Sequence, residues 1–587
     1  MPKIHLIINE IINTMKKKTL LLTMLMGIAG IMVAQEIPTS IIEVNNVRGN
    51  ILGTGNVFSN VVGNNLTWEV PKDSGMSTLF QYSLWVGGVD ESDNLHLAAN
   101  RYNQVGRDYW MGPLTLGSAT TNDAVEQEFE HIWNLTRTQI DDFISNHGQA
   151  GYDIPEDILT WPAHGPEGYA ENLAPFVDAN NDGRYNPEDG DYPDIMGDQC
   201  LFFIFNDSYA NHTESSGDKL GLEVHAMVYA YDAPDNEALN NTVYFHYELF
   251  NRSSNTYFGT YVGVWNDWDI GDGWNDYAGC NVKLGTCYGY NATDTDDTYG
   301  ENPPVQACTI LGGPFFDADG IDNSGYNGDC ESSNYSYAYS TVNFDNGIID
   351  DERFGLSRYM VQSNSNNEAM GDPTEATGYY NVLRGLWADG TRPRYGGNGL
   401  SGGQVVGPEC NFLFPGNSDP CNYGTAGELP NGGFNVDGHY WTEEGEGNNY
   451  SDRRGLGIAG PFTFEPGTMQ PLDFAMTTVW ASGRASALDR LEEIIGHVIA
   501  QYLEDYNVAA VGEHSEQGES LLKVYPNPSE GAVMIEGTGK LTVMNTLGQQ
   551  VLIRDIDGQT TLNLSSGLYL IRMENETGTY VSKLVVK

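Results

Sequence analysis

Four apolar stretches decide the fold: Leu201-Phe-Phe-Ile-Phe205, Leu222-Glu-Val-His-Ala-Met-Val-Tyr-Ala-Tyr231, Thr242-Val-Tyr-Phe-His-Tyr-Glu-Leu-Phe250 and, after the turn Asn251-Arg-Ser-Ser-Asn255, Tyr257-Phe-Gly-Thr-Tyr-Val-Gly-Val-Trp265. They are rich in aromatic and β-branched residues and joined by short connections, which predicts an antiparallel meander. Residues 470–480 are strand-like again, after Gly460-Pro461 and Pro466-Gly467. They are expected to return to the same sandwich, leaving 266–460 as a long Gly/Asn/Asp-rich excursion. Two helical regions flank this body. Residues 123–133 and 137–147 carry Val125, Phe129, Ile132, Trp133, Ile140, Phe143 and Ile144 at helical spacing, with Thr136 and Gln139 as a capping box. Residues 486–505 place Leu488, Leu491, Ile494, Ile495, Val498, Ile499 and Tyr502 on one face, the pattern of a helix docked on a sheet.

Composition agrees. The 587 residues include 69 glycines, 40% hydrophobic residues and 11% aromatics, enough for real cores joined by many turns. The fold class is therefore mainly β: an antiparallel β-sandwich body with a long loop-rich insertion and a few helices, plus a small C-terminal Ig-like sandwich. The domain reading is 1–34 signal peptide, 35–175 mixed β/helical region, 176–506 sandwich body with the insertion 266–460, 507–520 linker and 521–587 C-terminal module. A net charge of −52, from 28 basic against 80 acidic residues, repels phosphate backbones and anionic lipid. Nucleic acid is not an expected partner.

The lysines after Met15, the apolar run 20–33 and the small Ala34 have the three regions of a secretory signal peptide, with Met15 as an alternative start. The apolar run is too short for a membrane span, and no transmembrane segment is expected in the mature chain. In an exported protein Cys280/Cys287, Cys410/Cys421 and Cys308/Cys330 are natural disulfide candidates, and Cys200 reads as a buried thiol.

The C-terminal strands, at 540–544, 549–553, 560–564, 568–573 and 580–587, are punctuated by Gly548, Asp557-Gly558 and Ser565-Ser-Gly567. Tyr525-Pro-Asn-Pro528, Gly531, Asn545-Thr-Leu-Gly-Gln-Gln-Val551, Ser566-Gly-Leu-Tyr569 and Lys583-Leu-Val-Val-Lys587 resemble the type A C-terminal sorting domain of type IX secretion cargo. The resemblance implies export across the outer membrane, with residues 521–587 engaging the secretion machinery and the protein released or attached at the surface. The body, through Val44-Asn-Asn-Val-Arg48, Leu84-Trp-Val-Gly-Gly88, Asp198-Gln199, Asp276-Tyr-Ala-Gly-Cys280, Leu383-Arg-Gly-Leu-Trp387 and Gly460-Pro-Phe-Thr-Phe464, is similar to uncharacterised secreted proteins with this tail, a likeness that brings no activity.

The sharpest local motif is Asp178-Ala-Asn-Asn-Asp-Gly-Arg-Tyr-Asn-Pro-Glu-Asp189. Oxygen side chains at Asp178, Asn180, Asp182, Asn186 and Asp189, glycine at the sixth position and the Arg184 carbonyl at the seventh match a calcium loop. It resembles the dockerin loop, but Pro187, Gly190 and Pro193 argue against an exiting helix, so an isolated loop is expected. Asp317, Asp319 and Asp322 are weaker metal candidates, similar to thrombospondin-like turns. Further acidic groups are Asp267, Asp269, Asp272 and Asp276, and Asp345, Asp350, Asp351 and Glu352.

Catalytic signatures are thin. Gly399-Leu-Ser-Gly-Gly403 matches GxSxG without a preceding strand, and no catalytic residue is assigned. Trp265, Trp268 and Trp274 interleave with aspartates in a pattern that suits sugar stacking or core packing. The resulting expectation is a secreted or surface-attached, calcium-stabilised binding or structural protein, with a glycan or a surface protein as ligand. The alternatives are a polysaccharide-active hydrolase and a structural adhesin component.

Overall fold

Gln199–Asn206, Leu222–Ala230 and Thr242–Asn251 pair in antiparallel succession, with Phe202 opposite Met227 and Val228 opposite Phe245. Every residue of the first two strands is buried. Both faces of the sheet are therefore covered, which is why these strands read as continuous apolar runs rather than as alternation. The computed structural model describes residues 37–586 except 59–67, 103–105, 325–341, 345, 366, 401–406, 420–439, 510–522, 526–530, 546–549, 565–566 and 576–577. The signal segment, most of the linker, Cys330, Cys421, Asp345 and Ser401 lie outside the described residues.

Met469–Val479 pairs with Thr242–Asn251 on one side and with Val305–Gly312 on the other. Thr286–Asn291 and Asp276–Asn281 follow at that edge, while Trp110–Met111 and Trp133–Thr136 complete a nine-stranded sheet on Gln199–Asn206. The excursion 266–460 is thus threaded by strands of both sheets.

The expected meander divides at its last turn. Tyr257–Trp268 leaves the first sheet and lies between Arg453–Phe464 and Leu79–Val89 in a second, six-stranded sheet. Asn251 fixes the corner: its side-chain amide donates to the carbonyls of Asn255 at 2.8 Å and Phe464 at 3.0 Å, and its oxygen accepts from Ser253 N at 3.0 Å. The sheets meet through Tyr82, whose ring stands edge-on to Phe245 at 5.0 Å. On the outer side of the second sheet Trp85 stacks on Trp265 at 5.8 Å and meets Tyr379, on helix Ala376–Leu383, at 4.9 Å.

Helices cover the opposite face of the large sheet. Arg137–Asn146 begins at the expected Thr136/Gln139 capping box. The helix expected over 123–133 stops at Glu128; Trp133 instead joins a strand opposite Phe202, and its indole donates to Thr160 O at 2.9 Å. Edge pairing and burial of a large ring outweigh helical spacing there. Arg484–Ala509 extends past the expected end and buries Leu491, Ile494, Ile495, Val498 and Tyr502.

The five described cysteines are free and buried. Cys280, Cys287 and Cys308 face one another across three strands, yet the Cys280 thiol turns to Leu413 O at 3.4 Å and the Cys287 thiol to Cys308 O at 3.5 Å. The expected Cys280–Cys287 bridge is therefore not formed. In the C-terminal module Ala532–Asn545 and Gln550–Asn563 make a long hairpin, and Asp557-Gly558, expected as a turn, lies inside a continuous strand. Gly558 (φ 92°) faces Gly537 there, so the strand bends without side-chain conflict.

One buried network joins the returning strand to the rest. Asp473 accepts from His246 Nδ1 at 2.6 Å, Arg353 Nη2 at 2.7 Å and the Tyr502 hydroxyl at 2.9 Å. Burial alone would push its carboxyl up, but Arg353 and His246 hold it down to about 2. Asp473→Asn leaves Arg353 buried without its counter-charge and is expected to cost about 3–5 kcal/mol in urea denaturation at pH 7. Because the folded carboxyl sits below its unfolded value, this contribution is complete above about pH 4 and fades as pH falls towards 2. The wild type should therefore lose more stability than the variant across that window.

Candidate metal centre

Phe176–Val177 pairs with Tyr192–Pro193, closing the base of the loop 178–191. Inside it Asn181 (φ 59°) and Gly183 (φ 75°) take left-handed conformations that wind the chain tightly, and at Gly183 a side chain would be strained. Asp178 accepts from Asp182 N at 3.2 Å and Gly183 N at 2.7 Å, Asn180 Oδ1 accepts from Asp182 N at 2.9 Å, and Asp182 Oδ1 accepts from Arg184 N at 2.8 Å. Asp178, Asn180 and Asp182 are thereby held in one turn. The second half is a three-residue 3-10 turn, Pro187–Asp189, capped by Asn186 and ended by Gly190 at φ 104°. No helix exits the loop. Asp189 Oδ2 accepts from Asn186 Nδ2 at 2.7 Å.

Asp191, which spacing rules pass over, holds the two halves together. It is fully buried, and its two oxygens accept from Ala179 N and Asn186 N, each at 2.8 Å. Burial after Gly190 rather than ligand spacing is its signature, and a single sequence does not display burial. Tyr185 anchors the outside, donating its backbone N–H to His164 Nε2 at 3.1 Å and its hydroxyl to Ile158 O at 2.5 Å.

All side-chain donors in the loop are oxygens, a set suited to a hard cation such as calcium and not to a thiophilic metal. Among the described residues no three His, Cys, Asp or Glu side chains already form a metal shell. Asn oxygens and the Arg184 carbonyl would have to complete one here.

The weaker candidates divide. Asp317 accepts from Thr463 N at 2.6 Å and Thr463 Oγ1 at 2.7 Å. Asp319 and Asp322 instead gather with the second acidic stretch: Asp350 Oδ1 accepts from Asp319 N at 2.7 Å and Gly320 N at 2.8 Å, and Glu352 accepts from Asn323 N. Two stretches that read as separate clusters are thus tied to one another. Asp351, next to Glu352 and Asp322, has its carboxyl pushed up chiefly by burial.

Groups that could have pointed to catalysis are absorbed by structure. Burial pushes the Cys200 thiol up to about 12, which removes thiolate character. His225 Nε2 lies 2.8 Å from Glu223 Oε1, a carboxylate that also pairs with Arg252 at 2.7 Å. His212 is held between the carbonyls of Leu97 and Asp207, each at 2.7 Å. Trp265 and Trp268 are fully buried and belong to the core, whereas Trp274 is 65% exposed. Tyr450, 51% exposed, lies on the same margin: Asp276 bridges to Ser451, and the Tyr277 and Tyr450 rings are 6.2 Å apart.

No curated protein matches the chain. Among solved structures, a polysaccharide lyase aligns over 71% of this chain and 37% of its own at 7% identity, with a TM-score of 0.19. This chain thus spans little more than a third of that protein's length, and the superposition is too loose to establish a common fold. Among the described residues no helix is long and apolar enough to cross a membrane. Residues 523–587 match the family described as the secretion system C-terminal sorting domain, so the chain carries the tail of type IX secretion cargo, which marks it as secreted or attached at the outer-membrane surface and implies contact with the secretion machinery.

Proposed function

We propose that the protein is a secreted or surface-attached, calcium-stabilised binding module, with Asp178, Asn180, Asp182, Asn186, Asp189 and the Arg184 carbonyl as its calcium ligands. The observation that carries the reading is the closed loop 178–191, in which three oxygen side chains are held in one left-handed turn and the buried Asp191 ties both ends. A cation there would offset charge in a chain of −52, a structural role that requires no reacting group. Asp317, Asp319 and Asp322 remain weaker calcium candidates, with Asp350 and Glu352 tied to the same turn by backbone N–H groups. Affinity at the loop would be weak, about 10⁻⁴ to 10⁻³ M, as in extracellular modules.

A glycan is the ligand class we assign to the margin carrying Trp274 and Tyr450, because exposed aromatic faces beside polar groups stack on sugar rings at low ordering cost. These rings are exposed while the other tryptophans of the same stretch are core residues.

Two measurements test the reading. Calcium should raise the melting temperature of the purified protein, and Asp182→Ala should abolish the rise contributed by this loop; equal melting of both proteins with calcium and with chelator contradicts it. In polysaccharide pull-downs with calcium, the wild type should be retained and Trp274→Ala should lower retention about tenfold. Assay of the retained glycan for new reducing ends should find none. Cleavage would promote the hydrolase reading, and no retention on any glycan would favour a structural or protein-binding role.

A further inference from the structure

The turn between Tyr257–Trp268 and Asp276–Asn281 concentrates carboxylates and amides, several of whose buried oxygens have no hydrogen-bond partner among the described residues. Asp276 is fully buried; its Oδ2 accepts from Ile270 N at 3.0 Å, while its Oδ1 has no hydrogen-bond partner among the described residues. Directly opposite it in the ladder stands Asn291, also fully buried. The Asn291 amide nitrogen is committed to the carbonyls of Thr293 at 2.7 Å and Thr295 at 3.1 Å, and its Oδ1 is left unpartnered. Asn275 Oδ1 is buried and unpartnered as well. Two register partners on one face of a sheet thus both present a bare oxygen, which is costly unless a donor or a cation meets it.

The approach is built for oxygen. A Cβ on Gly273 would come within 1.9 Å of Asp269 Oδ1, and one on Gly271 within 2.1 Å of Asp296 Oδ1. Only glycines leave room for these carboxylates. Asp296 and Asp272 already accept backbone N–H groups, Asp296 from Asp272, Thr298 and Tyr299 and Asp272 from Trp274. Arg454 donates to the Tyr102 hydroxyl at 2.7 Å and to Asp452 at 2.9 Å and lies 3.5 Å from Asp267, so its single charge is shared among several carboxylates. Burial, with repulsion between neighbouring carboxylates, pushes the Asp267, Asp269 and Asp276 carboxyls well up.

We infer that this turn is a separate divalent-cation site, taking calcium through Asp269 and Asp276 with the amide oxygens of Asn275 and Asn291. The mixed carboxylate and amide set suits calcium, which accepts irregular oxygen shells more readily than magnesium does. Asp269, half-buried and next to Asp276, is the ligand on the open side of the site.

The test is Asp269→Asn in the purified protein, read by calcium bound per chain in equilibrium dialysis, by melting with calcium and with chelator, and by terbium luminescence sensitised by Trp268 and Trp274. In chelator the variant should melt at or above the wild type, because a repelling charge is gone. With calcium it should bind one ion fewer than the wild type, show a smaller melting shift and lose the Trp-sensitised terbium emission. An unchanged ion count and an unchanged calcium shift would overturn the proposal and leave protonation as the way the carboxylates are neutralised. Asp182→Ala run in parallel reports on the 178–191 loop alone, so the two sites can fail separately.

Discussion

The body depends on the insertion of Met469–Val479 between Thr242–Asn251 and Val305–Gly312 at the centre of the large sheet. That strand arrives more than two hundred residues after its first partner, so its pairing must repay a long loop closure. It does so with contacts on both faces. Phe474 stacks on Phe245 at 4.4 Å with parallel rings on the face towards the second sheet, while Asp473 reaches Arg353, His246 and Tyr502. Tyr502 belongs to the helix Arg484–Ala509, and Arg353 also donates to the carbonyls of Gly312 and Gly313. A single carboxylate thus couples two neighbouring strands, the middle of the excursion and the covering helix.

The same structure shows how a chain of −52 buries acid. One set of carboxylates meets arginine: Glu214 with Arg101, Glu223 with Arg252 and Glu443 with Arg453. With few basic residues to share, a second set is satisfied by backbone N–H groups. Asp108 accepts from Ala99 and Glu214, Asp207 from Leu220 and Leu222, and Asp191 from Ala179 and Asn186. Such carboxylates work as staples between loops, replacing water with fixed amide dipoles. Asp269 and Asp276 belong fully to neither set, and that is what separates them from the acidic turns elsewhere on the surface.

Sequence reading was strongest where one short-range rule dominates. The apolar runs at 201–205, 222–231 and 242–250 disclosed antiparallel neighbours, and the Thr136/Gln139 box located a helix start to the residue. It weakened wherever tertiary partners decide. Tyr257–Trp268 changes sheets because Asn251 locks a corner, and Trp133 prefers a strand edge to the helix its spacing suggests. Asp557-Gly558 bends a strand instead of ending it because glycine lies opposite. At the candidate loop the oxygen positions 178, 180 and 182 were legible from spacing of two, whereas Asp191 was not, because its importance comes from burial. The gathering of Asp319 and Asp322 with Asp350 to Glu352 was equally hidden, since proximity across thirty residues leaves no local pattern.

Location and electrostatics constrain one another. A ligand that binds only the folded chain stabilises it in proportion to the logarithm of its concentration over its dissociation constant, so a loop of millimolar or slightly tighter affinity contributes little where free calcium is scarce and much where it is abundant. The sorting tail at 523–587 sends the chain out of the cell or to its outer surface, so the free calcium met there would set that contribution. With calcium bound as proposed, the carboxylates of the turns at 178–191 and 269–276 would repel without compensation only until they meet the ion. On that proposal the acidic surplus, repulsive by itself, would become with the cation bound a means of holding these loops against the sheets.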